Sequence, residues 1–204
     1  MRDTSDKPQE ICITEKKANM LYLITGVSGS GKSEYAENLA VKLAAGEPLY
    51  YVATMEPYGQ EGQARIERHH KLRAGKGFET IECYRDITGI VETIGQARCR
   101  NATILLECMS NLLANEMFGE KANEGNTSGA LTEKEQTDRL LSGISCISRQ
   151  CRHLLIVTNE VFSDGIGYAS ETEEYRKMLG RLNRELVSMA DEAVEVVYTV
   201  PVRI

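Results

Sequence analysis

Four short apolar runs punctuate the chain, at residues 20–25 (MLYLIT), 49–53 (LYYVA), 102–106 (ATILL) and 154–158 (LLIVT). Each reads as a buried strand. Residues 193–202 (AVEVVYTVPV) add one or two more, with Pro201 marking an edge or a break. Helical periodicity fills the intervals. Tyr35, Leu39 and Leu43 recur at four-residue steps, with Ala36 and Ala40 beside them. Residues 132–151 carry Leu140, Leu141, Ile144, Ile147 and Cys151 on one stripe, and residues 172–189 carry Tyr175, Met178, Leu179, Leu182, Leu186 and Met189. Both patterns predict core-facing amphipathic helices. The Gly/Asn/Ser-rich segment 119–130 predicts a loop. Residues 1–19 are polar and aperiodic, an extension ahead of one domain over 20–204. Continuous apolar strands alternating with amphipathic helices imply an α/β fold: a mostly parallel sheet with helices on both faces.

Composition narrows the function classes. Of the 204 residues, 24 are Lys or Arg and 30 are Asp or Glu, a net charge of −6. Such a balance disfavours sequence-independent nucleic-acid binding. No apolar run approaches the roughly 18 residues of a membrane span, and the first nineteen residues hold no apolar signal segment. The six cysteines form no Cys-x-x-Cys pair. They read as reduced, mostly buried thiols of a cytoplasmic protein. His153, alone before a strand, reads as structural.

The first apolar run leads straight into Gly26-Val27-Ser28-Gly29-Ser30-Gly31-Lys32-Ser33, which fits G-x-x-x-x-G-K-[ST]. The glycines let the backbone wrap tightly, so that successive N–H groups face phosphate oxygens. The following helix adds its positive end. Lys32 would then bridge the β and γ phosphates, and the Ser33 hydroxyl would ligate magnesium. Glu107 stands directly after the run 102–106. In a parallel sheet this is the carboxyl edge, where it would meet the same magnesium. Thr158-Asn159-Glu160 should reach that edge too, with a structural loop role equally open.

A basic segment follows the second run. Residues 65–76 (RIERHHKLRAGK) hold Arg65, Arg68, Lys71, Arg73 and Lys76 around His69 and His70. On a helix, Arg65, His69 and Arg73 share one face, and Gly75 and Gly77 suit its stop. Flanking guanidinium groups would keep an imidazole neutral and nucleophilic, and would neutralise phosphate charge in a transition state. By spacing alone, a solvated basic face with two idle histidines is the commoner outcome.

The ordered motifs carry more than spacing. LITGVSGSGKS at 23–33, YVAT at 51–54, RIERHHKLR at 65–73, ETIE at 79–82, LLECMSNLLANEMF at 105–118, VTNEV at 157–161 and GRLNRELVSMADEAVEV at 180–196 together resemble the bifunctional adenosylcobinamide kinase / adenosylcobinamide-phosphate guanylyltransferase family of cobalamin biosynthesis. The resemblance implies a three-layer P-loop NTPase-type domain, often assembled into homo-oligomers. It implies two reactions. The first phosphorylates the aminopropanol hydroxyl of adenosylcobinamide with ATP or GTP. The second attaches GMP from GTP to that phosphate, through a guanylylated histidine, giving adenosylcobinamide-GDP. The family pattern Arg-Ile-x-x-His places the nucleophile at His69. Nucleotide contacts carry over to the loop Gly26 to Ser33, to Ala53, Thr54 and Met55, to His70, Lys71, Leu72 and Arg73, and to Glu82 and Glu107, with Mg2+ as cofactor. One departure stands out. The family's Gly-Ile-Val-Pro after Asn-Glu-Val is replaced here by Phe162-Ser163-Asp164-Gly165-Ile166-Gly167-Tyr168. Two other readings remain open: a plain small-molecule kinase without a histidine intermediate, and a nucleotide-dependent regulatory protein.

Overall fold

The structure, a computed structural model, describes residues 19–57, 67, 71, 73–119, 132–161 and 169–204. Among the described residues, seven strands form one sheet: β1 (Met20–Thr25), β2 (Leu49–Ala53), β3 (Glu79–Glu82), β4 (Thr103–Glu107), β5 (His153–Val157), β6 (Glu192–Val197) and β7 (Val200–Arg203). Their order is β3-β2-β4-β5-β1-β6-β7. Every pairing is parallel except the β6–β7 hairpin. Parallel neighbours need crossovers, which the helices supply.

The strand period of two splits the core into two layers. Leu21, Leu23, Ile104, Leu106, Leu154 and Ile156 point to one face. There they meet the short helices α2 (Ile90–Ile94) and α3 (Gln96–Cys99), then α4 (Met109–Phe118), α5 (Glu133–Gln150) and α6 (Ser170–Met189). Tyr22, Ile24, Leu105, Leu155 and Val157 point to the other face, which is covered by α1 (Lys32–Ala44). This is the three-layer arrangement that the sequence implies.

The faces differ in detail from the periodicity reading. α1 buries its alanine row, Ala36, Ala40 and Ala44, while Tyr35, Leu39 and Leu43 flank it half-buried. Small side chains let the helix axis approach the sheet, and that proximity carries the loop preceding the helix onto the strand ends. α5 opens with a capping box: the Thr132 hydroxyl accepts from the Glu135 N–H while the Glu135 carboxylate accepts from the Thr132 N–H. Among the described residues, no helix is long and apolar enough to cross a membrane.

Candidate active site

The ends of β1, β2, β4 and β5 meet at the carboxyl edge of the sheet, and the glycine loop closes over them. Two glycines are required there by close approach. A Cβ on Gly26 would lie 2.6 Å from the Val196 carbonyl oxygen, and one on Gly31 would lie 2.9 Å from the Thr199 methyl. Both have positive φ. The Glu160 N–H, just past β5, donates to the Gly26 carbonyl at 3.2 Å. Val27, Ser28 and Gly29 stay exposed at the tip, whereas Ser30 and Lys32 are buried.

The Lys32 ammonium donates to the Val27 carbonyl at 3.0 Å. Burial lowers its proton affinity below the ordinary lysine value, and the negative charge of Glu107 opposes that shift. Cys108 adds nothing at neutral pH, because its own burial pushes the thiol up and keeps it protonated. Glu107 is the last residue of β4, not the first residue beyond it, and is 9% exposed. Its Oε2 is buried without a hydrogen-bond partner. An acceptor-only oxygen in that state has its lone pairs free for a hard cation or its bound water. The donor chemistry at Ser33 and Glu107 thus fits a magnesium ion carried in with a triphosphate.

Behind Glu107 lies a polar network that fixes the strand ends. Thr54 is fully buried. Its N–H donates to the Glu107 carbonyl at 3.1 Å. Its hydroxyl donates to the Cys108 carbonyl at 2.8 Å and accepts from the Cys108 N–H at 2.6 Å. Asn115 of α4 donates to the carbonyls of Thr54 and Tyr84. Asn159 donates to the Ser110 hydroxyl, and Thr158 donates to Asn183 of α6. Thr158 and Asn159 therefore reach the expected edge as part of its scaffold. A groove of about 770 Å³ runs along α6, lined among others by Arg176, Lys177, Arg181, Asn183 and Arg184. Asn183 joins it to the strand ends through Thr158.

The remaining candidates are dispersed. Ala53 and Met55 are half-buried where β2 ends. Glu82 is exposed at the end of β3 and accepts from the Tyr84 hydroxyl. Lys71 is exposed. Arg73 is 6% exposed, with its guanidinium 3.5 Å from the centre of the Tyr51 ring, a desolvated cation–π contact. Three residues on, Lys76 forms an ion pair of 2.6 Å with Glu37 of α1. His69, His70 and Leu72 lie outside the described residues, as do residues 1–18 and 162–168. Nothing in the local sequence marks the hairpin tip at Tyr198 and Thr199 as a neighbour of the glycine loop. Ser110, Asn115 and Asn183 lie within the motifs at 105–118 and 180–196, where local pattern gives them no role beyond that of a small polar residue in an otherwise core-facing helix. His153 stands at the start of β5, at the other end of that strand, edge-on to Tyr22.

The family model of cobinamide kinase / cobinamide phosphate guanyltransferase matches residues 22–204. The chain belongs to this family. A bifunctional adenosylcobalamin biosynthesis protein CobU from Salmonella typhimurium is 30% identical over 91% of this chain and 99% of its own. The protein of the same name from Escherichia coli K12 is 28% identical over the same shares. Among solved structures, an ATP synthase subunit NeqB from Nanoarcheaum equitans aligns with a TM-score of 0.52 at 10% identity, covering 87% of this chain and 45% of that one. That likeness is one of fold alone, a mostly parallel α/β sheet flanked by helices. As a member of the cobinamide kinase / cobinamide phosphate guanyltransferase family, the chain is a transferase of cobalamin biosynthesis.

Proposed function

We propose that one nucleotide-binding edge serves both family reactions in this chain. In the first, the aminopropanol hydroxyl of adenosylcobinamide attacks the γ phosphorus of ATP or GTP, and the nucleoside diphosphate leaves. In the second, a nitrogen of His69 attacks the α phosphorus of GTP. The bond to the β phosphate breaks and pyrophosphate departs. An oxygen of adenosylcobinamide phosphate then attacks the same phosphorus, the N–P bond breaks, and adenosylcobinamide-GDP forms.

The observation that carries this reading is the buried Lys32 ammonium near the Glu107 carboxylate, whose buried Oε2 has no hydrogen-bond partner, beneath the glycine loop. Lys32 is desolvated before substrate arrives, so a phosphate oxygen gains a charge-assisted bond in a site of low dielectric. Magnesium, held by Ser33 and Glu107, would neutralise charge between the β and γ phosphates. Support for His69 comes from its place in Arg-Ile-x-x-His and from the anchoring that follows it. Arg73 on Tyr51 and Lys76 on Glu37 tie the chain beyond His69 to β2 and α1. The groove along α6 offers a large acceptor room next to the same edge.

Incubation with α-labelled GTP and magnesium tests the reading. Expected is a covalent label that is acid-labile and base-stable, is lost in His69→Ala, and is chased off by adenosylcobinamide phosphate. A label lost in His70→Ala instead moves the nucleophile. No label from a protein that still phosphorylates adenosylcobinamide leaves only the plain kinase.

A further inference from the structure

The β6–β7 turn presents an aromatic side chain that packing does not explain. Val197 pairs with Val200, so Tyr198 and Thr199 alone connect the antiparallel strands. Both have positive φ, 47° and 67°. Two-residue hairpins of this kind favour Asn-Gly or Asp-Gly, and a bulky side chain sits there against its own backbone preference. Tyr198 gains no burial in exchange, being 89% exposed. The turn is nonetheless fastened to the glycine loop. The Thr199 N–H donates to the Ser30 carbonyl at 2.8 Å. The Thr199 methyl fills the space that a side chain on Gly31 would need. The exposed ring is therefore held one residue from a contact with the loop.

We propose that Tyr198 is the stacking platform for the purine base of the triphosphate whose phosphates lie in the loop 26–33. The inference rests on the nucleotide-binding reading above and adds the residue that receives the base. A tyrosine offers a flat π face at low conformational cost, and its ring here needs no uncovering. Stacking reads no hydrogen-bonding edge, so the platform accepts adenine and guanine alike.

The chain has no tryptophan, so Tyr198→Trp introduces a single reporter at an exposed position. The full-length variant is titrated with magnesium and GTP, ATP or inorganic tripolyphosphate, with binding followed in parallel by calorimetry. Both nucleotides should change the emission saturably at their calorimetric affinities, and tripolyphosphate should bind without changing it. Tyr198→Ala should weaken both nucleotides about tenfold and leave tripolyphosphate unaltered, the effect of one lost base–aromatic stack. Tyr198→Phe should restore binding to within about twofold. A silent tryptophan while GTP binds overturns the platform alone, as does equal weakening of tripolyphosphate by Tyr198→Ala. An emission change that follows protein concentration instead of nucleotide also overturns it, marking a contact between copies. If calorimetry finds no GTP bound to the unaltered protein, the nucleotide-binding reading fails and the platform with it.

Discussion

Removing the Lys76 ammonium should cost far more than neutralising its partner. Lys76 and Glu37 lie 2.6 Å apart, yet their side chains are 26% and 2% exposed. Lys76→Met leaves the Glu37 carboxylate without water or a counter-charge. Breaking a fully buried pair in this way costs about 3–5 kcal/mol, and the partial exposure of Lys76 puts the cost near the lower end, about 3 kcal/mol. Glu37→Gln leaves an ammonium that reaches solvent by rotating, and the amide oxygen still accepts, so the cost is about 1 kcal/mol. The double variant, with no stranded charge, should fall near 1 kcal/mol as well, giving a coupling energy of about 3 kcal/mol between the sites. Urea unfolding of the four proteins at one pH and ionic strength measures this directly. For a chain of this size, the Lys76→Met cost corresponds to a fall in Tm of about 6–12 °C. Equal losses in the two single variants, or losses that simply add in the double, would refute the argument that burial asymmetry governs the pair.

Gly26→Ala should destabilise the protein by about 3 kcal/mol or more, since its Cβ meets a backbone carbonyl that cannot rotate away; thermal unfolding without ligand checks this, and a Tm within about 2 °C of the parent would contradict it. Burial, helped by the Arg152 charge, lowers the His153 proton affinity below its ordinary value of 6.5. The unfolded chain therefore takes up that proton first as pH falls, and stability drops from about 6.5 down through the depressed folded value. His153→Gln should lose this component, so urea midpoints should fall less between pH 7.5 and pH 5 than in the parent; identical slopes would exclude the assignment.

Strands β1, β2, β4 and β5 were legible because both faces of the sheet are covered, which makes each an unbroken apolar run. β3 was not. It is an edge strand with Glu79, Thr80 and Glu82 exposed, and among the described residues it pairs only with β2, so neither periodicity nor hydrophobicity marks it. The short helices α2 and α3 lack the length for a helical period to emerge. In the site, the glycine loop declares itself through local backbone demands, and Glu107 follows from the parallel topology. The Thr54–Cys108 and Asn159–Ser110 bonds join residues about fifty positions apart, and no local pattern encodes them. Arg73 illustrates the limit of charge as a signal. By spacing alone it reads as part of a solvated basic face, whereas its guanidinium is buried against the Tyr51 ring of β2.

The place of β1 in the sheet orders events at the ribosome. Its two neighbours are β5 and β6: Met20 pairs with His153, and Tyr22 with Glu192. A nascent chain thus carries an early, sticky Leu-Tyr-Leu-Ile segment whose flanks have yet to be synthesised. Closure of such long spans is slow and leaves that segment open to chaperones meanwhile. Translation halted before Glu192 yields a polypeptide that possesses the whole glycine motif but lacks one flank of β1 and the turn that fastens the loop.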